Sequence, residues 1–189
     1  VKSMKGLLYL AEGFETCEAL ITVDMLRRAG LEIKTVSISD DVEVLSSQKV
    51  IVHADGLLKD EHVEEYDFIV LPGGKLGTYN LEHNTRVIED VQKHYSNGKL
   101  TCAICAAPSI LGHLGYLKDR KYTCFPSFDE TSFGGEYQME LAVTDGNVIT
   151  GRGMGATIEF ARHILMKVAD KEALDKVEQG MQYEHSFRK

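Results

Sequence analysis

Short apolar runs alternating with segments of helical period predict an α/β fold, a mostly parallel sheet with helices on both faces. Two observations carry this. Runs such as Leu7-Leu8-Tyr9-Leu10 and Phe68-Ile69-Val70-Leu71 are continuous and short, as expected of buried strands. Glycine-rich stops, at Gly30, Pro72-Gly73-Gly74 and Asn97-Gly98, punctuate the alternation. No linker, repeat or low-complexity tract interrupts residues 1–189, so a single domain is expected.

In chain order, Lys5 to Leu10 reads as a buried strand and Thr16 to Ala29 as a helix closed by Gly30. Glu32 to Ile38 is the next strand. Val42 to Ala54 has the pattern of a β-hairpin with Ser46-Ser47-Gln48 near its turn. Asp67 to Leu71 is an apolar run ended by Pro72-Gly73-Gly74, and Asn84 to Ser96 is helical. Leu100 to Ile104 is a fifth run, with a helix from about Ala107 to Leu114. Tyr122 to Glu136 is irregular. Leu141 to Thr150 carries the hairpin signal Asp145-Gly146, and Ala156 to Val168 and Lys171 to Gln182 are closing helices.

The 189 residues carry 21 Lys and Arg against 29 Asp and Glu, a formal charge of −8 without any basic cluster, which argues against nucleic acid as a partner. No apolar run approaches the ~20 residues that span a bilayer, and the N-terminal residues lack the pattern of a secretory signal. A cytoplasmic location is the expectation, with the four cysteines (17, 102, 105 and 124) reduced. Cys102 and Cys105 form C-x-x-C, but Cys102 lies inside a strand, where residues three apart point to opposite faces, and this disfavours a redox pair. Zinc is disfavoured too, because no second Cys/His pair stands at ligand spacing. No metal and no organic cofactor is expected.

In open α/β sheets, ligands bind beyond the carboxyl ends of the strands. Three loops leave such ends with distinctive chemistry: Ala11 to Glu15, Pro72-Gly73-Gly74, and Cys105-Ala106-Ala107-Pro108. Cys105, between a strand and a helix with small neighbours, has the setting of a nucleophile elbow. There the helix N-terminus should favour thiolate and lower the thiol pKa. The bland alternative is a buried cysteine acting as a small hydrophobe. Gly73 and Gly74 free backbone amides to approach a ligand, and with the Ala106 amide they could form a donor pair for an oxyanion; an ordinary tight turn is the alternative. Glu15 and Glu18 open a helix, where carboxylates are favoured anyway. The functional reading has Glu18 facing Cys105, held protonated in a dry pocket.

The sequence resembles the ThiJ/PfpI superfamily, in its DJ-1 branch. The resemblance rests on Ala11-Glu12-Gly13-Phe14-Glu15-Thr16-Cys17-Glu18, Val23 to Gly30, Val70-Leu71-Pro72-Gly73-Gly74, Ala103-Ile104-Cys105-Ala106-Ala107-Pro108 and Thr150 to Ala156, all in order between about Lys5 and Val168. It implies a flavodoxin-like three-layer sandwich, usually a homodimer, here meeting through the Thr16 to Ala29 helix and the Ser47 to His53 strand. It also implies a reactive, easily oxidised Cys105, a protonated partner Glu18, oxyanion-type amides at Gly74 and Ala106, and a basic pocket-rim residue at Arg28.

Two departures matter. Many members carry a histidine directly after the nucleophile, where this chain has Ala106. Others carry one before a proline further on, where this chain has Phe125. None of the seven histidines (53, 62, 83, 94, 113, 163 and 185) falls in a pocket motif, and His113 lies two turns along the helix from Cys105. A Cys-His peptidase and a glutamine amidotransferase are therefore disfavoured. What remains is a slow glyoxalase or deglycase acting on methylglyoxal or its protein adducts, or a redox sensor or holdase chaperone switched by oxidation of Cys105.

Overall fold

The computed structural model describes residues 4–184. The strands are β1 (Lys5–Leu10), β2 (Glu32–Ser37), β3 (Glu43–Leu45), β4 (Ile51–His53), β5 (Gly56–Leu57), β6 (Phe68–Leu71), β7 (Leu100–Ile104), β8 (Lys121–Tyr122), β9 (Glu136–Tyr137), β10 (Ala142–Asp145) and β11 (Val148–Gly151). The helices are α1 (Thr16–Arg28), α2 (Lys75–Glu82), α3 (Thr85–Ser96), α4 (Pro108–His113), α5 (Thr157–Val168) and α6 (Lys171–Gly180).

Seven strands form one sheet in the order β10-β11-β7-β6-β1-β2-β5. Every pairing in it is parallel except β10 with β11. The side-chain period of two sorts β1 between two cores. Leu8 and Leu10 pack with Ala19 and Leu26 of α1, Phe160 and Ile164 of α5 and Val177 of α6. Leu7 and Tyr9 pack with Leu81 of α2, Val91 of α3 and Ile110 of α4. The result is the expected three-layer α/β sandwich.

The winding reverses at β1. The chain runs from β1 outward to β2, then returns to lay β6 and β7 on the other side. The crevice above the carboxyl ends of β1, β6 and β7 is thus the switch point at which such sheets bind ligands.

Both expected hairpins are present, β3–β4 and β10–β11. The sequence did not announce α2, because Gly77, Thr78 and Asn80 are weak helix formers. Tertiary contact sets it: a Cβ at Gly77 would lie 2.7 Å from Phe14 Cα, so only glycine lets this helix close onto the loop after β1. The parallel β8–β9 pair brackets the segment that reads as irregular, Tyr122 to Glu136.

Candidate active site

Cys105 follows β7 with φ of 66°, in the left-handed region where a side chain is strained. Its backbone is held on both sides: the N–H donates to Gly151 O (2.9 Å), and its carbonyl accepts from the Phe125 N–H (2.8 Å). Pro108 then opens α4 at a position where no N–H is needed. Strain is kept in place by hydrogen bonds, and the thiol stands half-buried at the turn.

Glu18, in the first turn of α1, is completely buried. Its Oε1 accepts from the Gly73 N–H (3.0 Å), while Oε2 is buried without a well-aligned partner. Gly73 is what lets the two residues meet. A Cβ there would lie 2.6 Å from both Cys105 Cβ and Glu18 Oε1, and 2.7 Å from Ile104 O. Gly74, with φ of 93°, brings the same turn onto the loop after β1: its Cβ would lie 2.4 Å from Gly13 O.

The electrostatics follow from burial. Desolvation, and then the charge of Glu15, push Glu18 from 4.5 up to about 7, against the hydrogen bonding of the Cys105 thiol and Gly73 N–H. Desolvation also raises Cys105, to about 12, helped by the Glu18 charge and by the thiol's hydrogen bond to that carboxylate. The expected lowering of the thiol pKa is therefore reversed, with desolvation the larger cause; α4 has six residues, too short a dipole to offset it.

The Gly74 and Ala106 amides pull Cys105 the other way, toward thiolate. Both hydrogen-bond the sulfur. The dyad titrates as one unit. Its two singly protonated forms differ in the donors that serve the charge: the Gly73 N–H and the Cys105 thiol for a carboxylate beside a thiol, the Gly74 and Ala106 amides for a thiolate beside a carboxylic acid.

The other expected site residues divide. Glu15 is the N-cap of α1, its carboxylate accepting from the Glu18 N–H (2.8 Å), so its part in the site is to position Glu18 and raise its pKa. Arg28 is not brought to this site within the chain. It lies ten residues along α1 from Glu18, about 15 Å at the helical rise, and pairs with Asp24. Phe125 stands at the elbow but is half exposed, its ring edge-on to Phe128. Cys102 and Cys124 are buried, with burial raising both thiols, Cys124 to about 12.

His113 lines a cavity of about 680 Å³ beside the elbow, with Nδ1 against Glu82 and Nε2 against Glu130, each at 2.7 Å. Its neighbours come from α2 and the 127–130 segment, neither of which the sequence marks. His185 lies outside the described residues. No group of three His, Cys, Asp or Glu side chains among the described residues is arranged to hold a metal ion, and no helix among them is long and apolar enough to cross a membrane.

Comparison with known proteins gives concordant results. Residues 4–167 match the model of the DJ-1/PfpI family. The chain is 33% identical over 181 residues to protein dj-1beta of Drosophila melanogaster, covering 95% of this chain and 97% of that one. The crystal structure of that Drosophila protein superposes with a TM-score of 0.89 over 96% of this chain and 98% of the other. Protein DJ-1 homolog B of Arabidopsis thaliana is 35% identical over 170 residues, 89% of this chain, which spans only 39% of that longer protein. Toxoplasma gondii DJ-1, solved in an oxidised form, is 30% identical with a TM-score of 0.88, covering 96% and 99% of the two chains.

Proposed function

Since this chain belongs to the DJ-1/PfpI family, we propose that it acts in the stress response, as a slow, cofactor-free glyoxalase or deglycase that uses Cys105 and Glu18 on methylglyoxal or its protein adducts. The observation that carries the reading is a fully buried Glu18 carboxyl, poised at about 7, against a thiol on a strained elbow. A group with pKa near the working pH both takes and returns a proton efficiently.

Glu18 carboxylate takes the Cys105 thiol proton as the sulfur adds to the aldehyde carbon of methylglyoxal, forming the C–S bond and opening the C=O π bond, and passes that proton to the aldehyde oxygen to give a hemithioacetal. Glu18 carboxylate removes the proton from that carbon, its electron pair forming the C=C bond of an enediol as the hydroxyl proton passes to the neighbouring ketone oxygen, and the acid returns its proton to the neighbouring carbon while the thioester C=O forms. The product is a lactoyl thioester on Cys105. Water cleaves the C–S bond, releasing lactate and restoring the thiol, so no oxidant or reductant is consumed. With Ala106 and Phe125 where family members carry histidine, Glu18 works alone; a second positioned acid–base group contributes ~10²–10⁴-fold, hence slow turnover.

The test is lactate formation from methylglyoxal by wild type, Cys105→Ala and Glu18→Gln. Turnover lost in both variants supports the mechanism; turnover that survives Glu18→Gln, or none in the wild type, overturns it.

A second reading, oxidation sensing or a holdase switched by oxidation, is favoured by the amides around the sulfur and by the oxidised form of the Toxoplasma relative. A protonated Glu18 would donate to a sulfinate and arrest further oxidation. Mild peroxide should then modify Cys105 well before Cys17, Cys102 and Cys124; equal reactivity of the four would refute it. A homodimer fits the exposed Leu20 on α1 and Val50 and Ile51 at the β3–β4 hairpin, and sedimentation at micromolar concentration tests it.

A further inference from the structure

The cavity beside the elbow belongs to neither reading. About 680 Å³ in volume, it lies between α2, α4 and residues 127–130, within the range that encloses a small organic ligand. Leu76 and Tyr79 stand one turn apart on α2 with more than half of each exposed, and Phe128 faces them across the opening. Such a wall costs hydration free energy unless something apolar covers it.

The polar lining narrows the choice. Thr78 is 5% exposed, and its hydroxyl is buried without a hydrogen-bond partner. A buried hydroxyl normally has one. Ser109 already donates its hydroxyl to Ala106 O (2.6 Å). Both ring nitrogens of His113 are taken, by Glu82 Oε2 and Glu130 Oε2, so the imidazole has no nitrogen left for a ligand. Lys75 is exposed at the edge.

From these surroundings we infer a second, non-covalent ligand site for an uncharged, flat aromatic molecule bearing one N–H or O–H group. The ring packs against Leu76, Tyr79 and Phe128, and the polar group meets the Thr78 hydroxyl once that side chain turns about χ1, a rotamer change open to threonine in helices. The site stands independently of whether Cys105 is catalytic.

Indole is a suitable probe, because the chain contains no tryptophan and the ligand's fluorescence is read without interference. Its partner probe is 1-methylindole, which keeps the ring and lacks the N–H. Indole should bind wild type with Kd on the order of 0.1–1 mM, as ligand size allows. It should bind about 3–10-fold tighter than 1-methylindole, the worth of one neutral hydrogen bond. In Thr78→Val that preference should vanish, in Tyr79→Ala both probes should weaken, and in Cys105→Ala nothing should change. Equal affinity of the two probes for wild type, or a preference that persists in Thr78→Val, overturns the proposal. So does loss of binding in Cys105→Ala, which would put the probe at the elbow, or the absence of binding at 5 mM, roughly fivefold above the upper end of the expected range.

Discussion

Replacing Glu18 with glutamine should make the protein more stable, and increasingly so as the pH rises. The carboxyl is fully buried and its pKa goes from 4.5 to about 7 on folding. The sign follows from linkage. Below about pH 4.5 Glu18 is neutral in both states and folding is not opposed. As pH rises through 7, the unfolded chain holds an ionised Glu18 at no penalty, while the folded carboxyl must ionise without water. At 1.36 kcal/mol per pH unit, the gap between 4.5 and about 7 amounts to about 3 kcal/mol, lost progressively across that window. Glutamine has no charge to bury and keeps an oxygen for the Gly73 N–H. Urea unfolding at pH 4.5 and pH 8 measures both ends. The Glu18→Gln variant should match wild type within about 0.5 kcal/mol at the acid end and exceed it by about 2–3 kcal/mol at the alkaline end. An equal difference at both pH values would mean that Glu18 is not held near 7 by burial, and the acid–base role built on it would fall. A variant more stable yet inactive would place the protein among those that keep a destabilising group for function.

Three other perturbations probe the frame. Gly73→Ala places a methyl 2.6 Å from both Cys105 Cβ and Glu18 Oε1; it should cost about 1–3 kcal/mol and abolish any effect of Glu18→Gln on the rate of thiol alkylation. Tyr9→Phe removes the hydroxyl that donates to Asp90 Oδ2 (2.9 Å) in the interior; leaving that carboxylate short of a donor should cost about 1.5–3 kcal/mol, measured by urea unfolding. His113 is lowered by burial but raised more by its hydrogen bonds to Glu82 and Glu130 and by their charges, a net rise. Its contribution is fully present below about pH 6.5 and is lost as pH rises through the folded value. All three side chains are partly exposed, so His113→Gln should cost only about 0.5–1 kcal/mol at pH 5.5 and less at pH 9, with a constant difference counting against the clamp.

The parts of this molecule legible in the sequence are those whose cause is local. Leu100 to Ile104 followed by Cys105 and Pro108 is a strand, a turn and a helix start within nine residues, and the structure has each where the pattern puts it. Pro72-Gly73-Gly74 is similar, since a strand must stop there. Helix α2 was invisible because its cause is Phe14, some sixty residues earlier, packing against Gly77. The direction of the Cys105 shift is hidden from the sequence for a related reason. A helix terminus is read from neighbouring residues, but desolvation depends on what the whole fold piles onto the sulfur, and here desolvation wins. Arg28 followed the resemblance to a position that the single chain leaves at the opposite end of α1.

The tie between Phe125 and the elbow runs entirely through the main chain, from the Phe125 N–H to the Cys105 carbonyl. Whatever side chain stands at 125 is therefore delivered to the rim of the nucleophile without helping to hold it there. That position works as an interchangeable socket. Exchanging its phenyl ring for an imidazole would place a proton carrier at that position while leaving the turn's geometry to the backbone hydrogen bond.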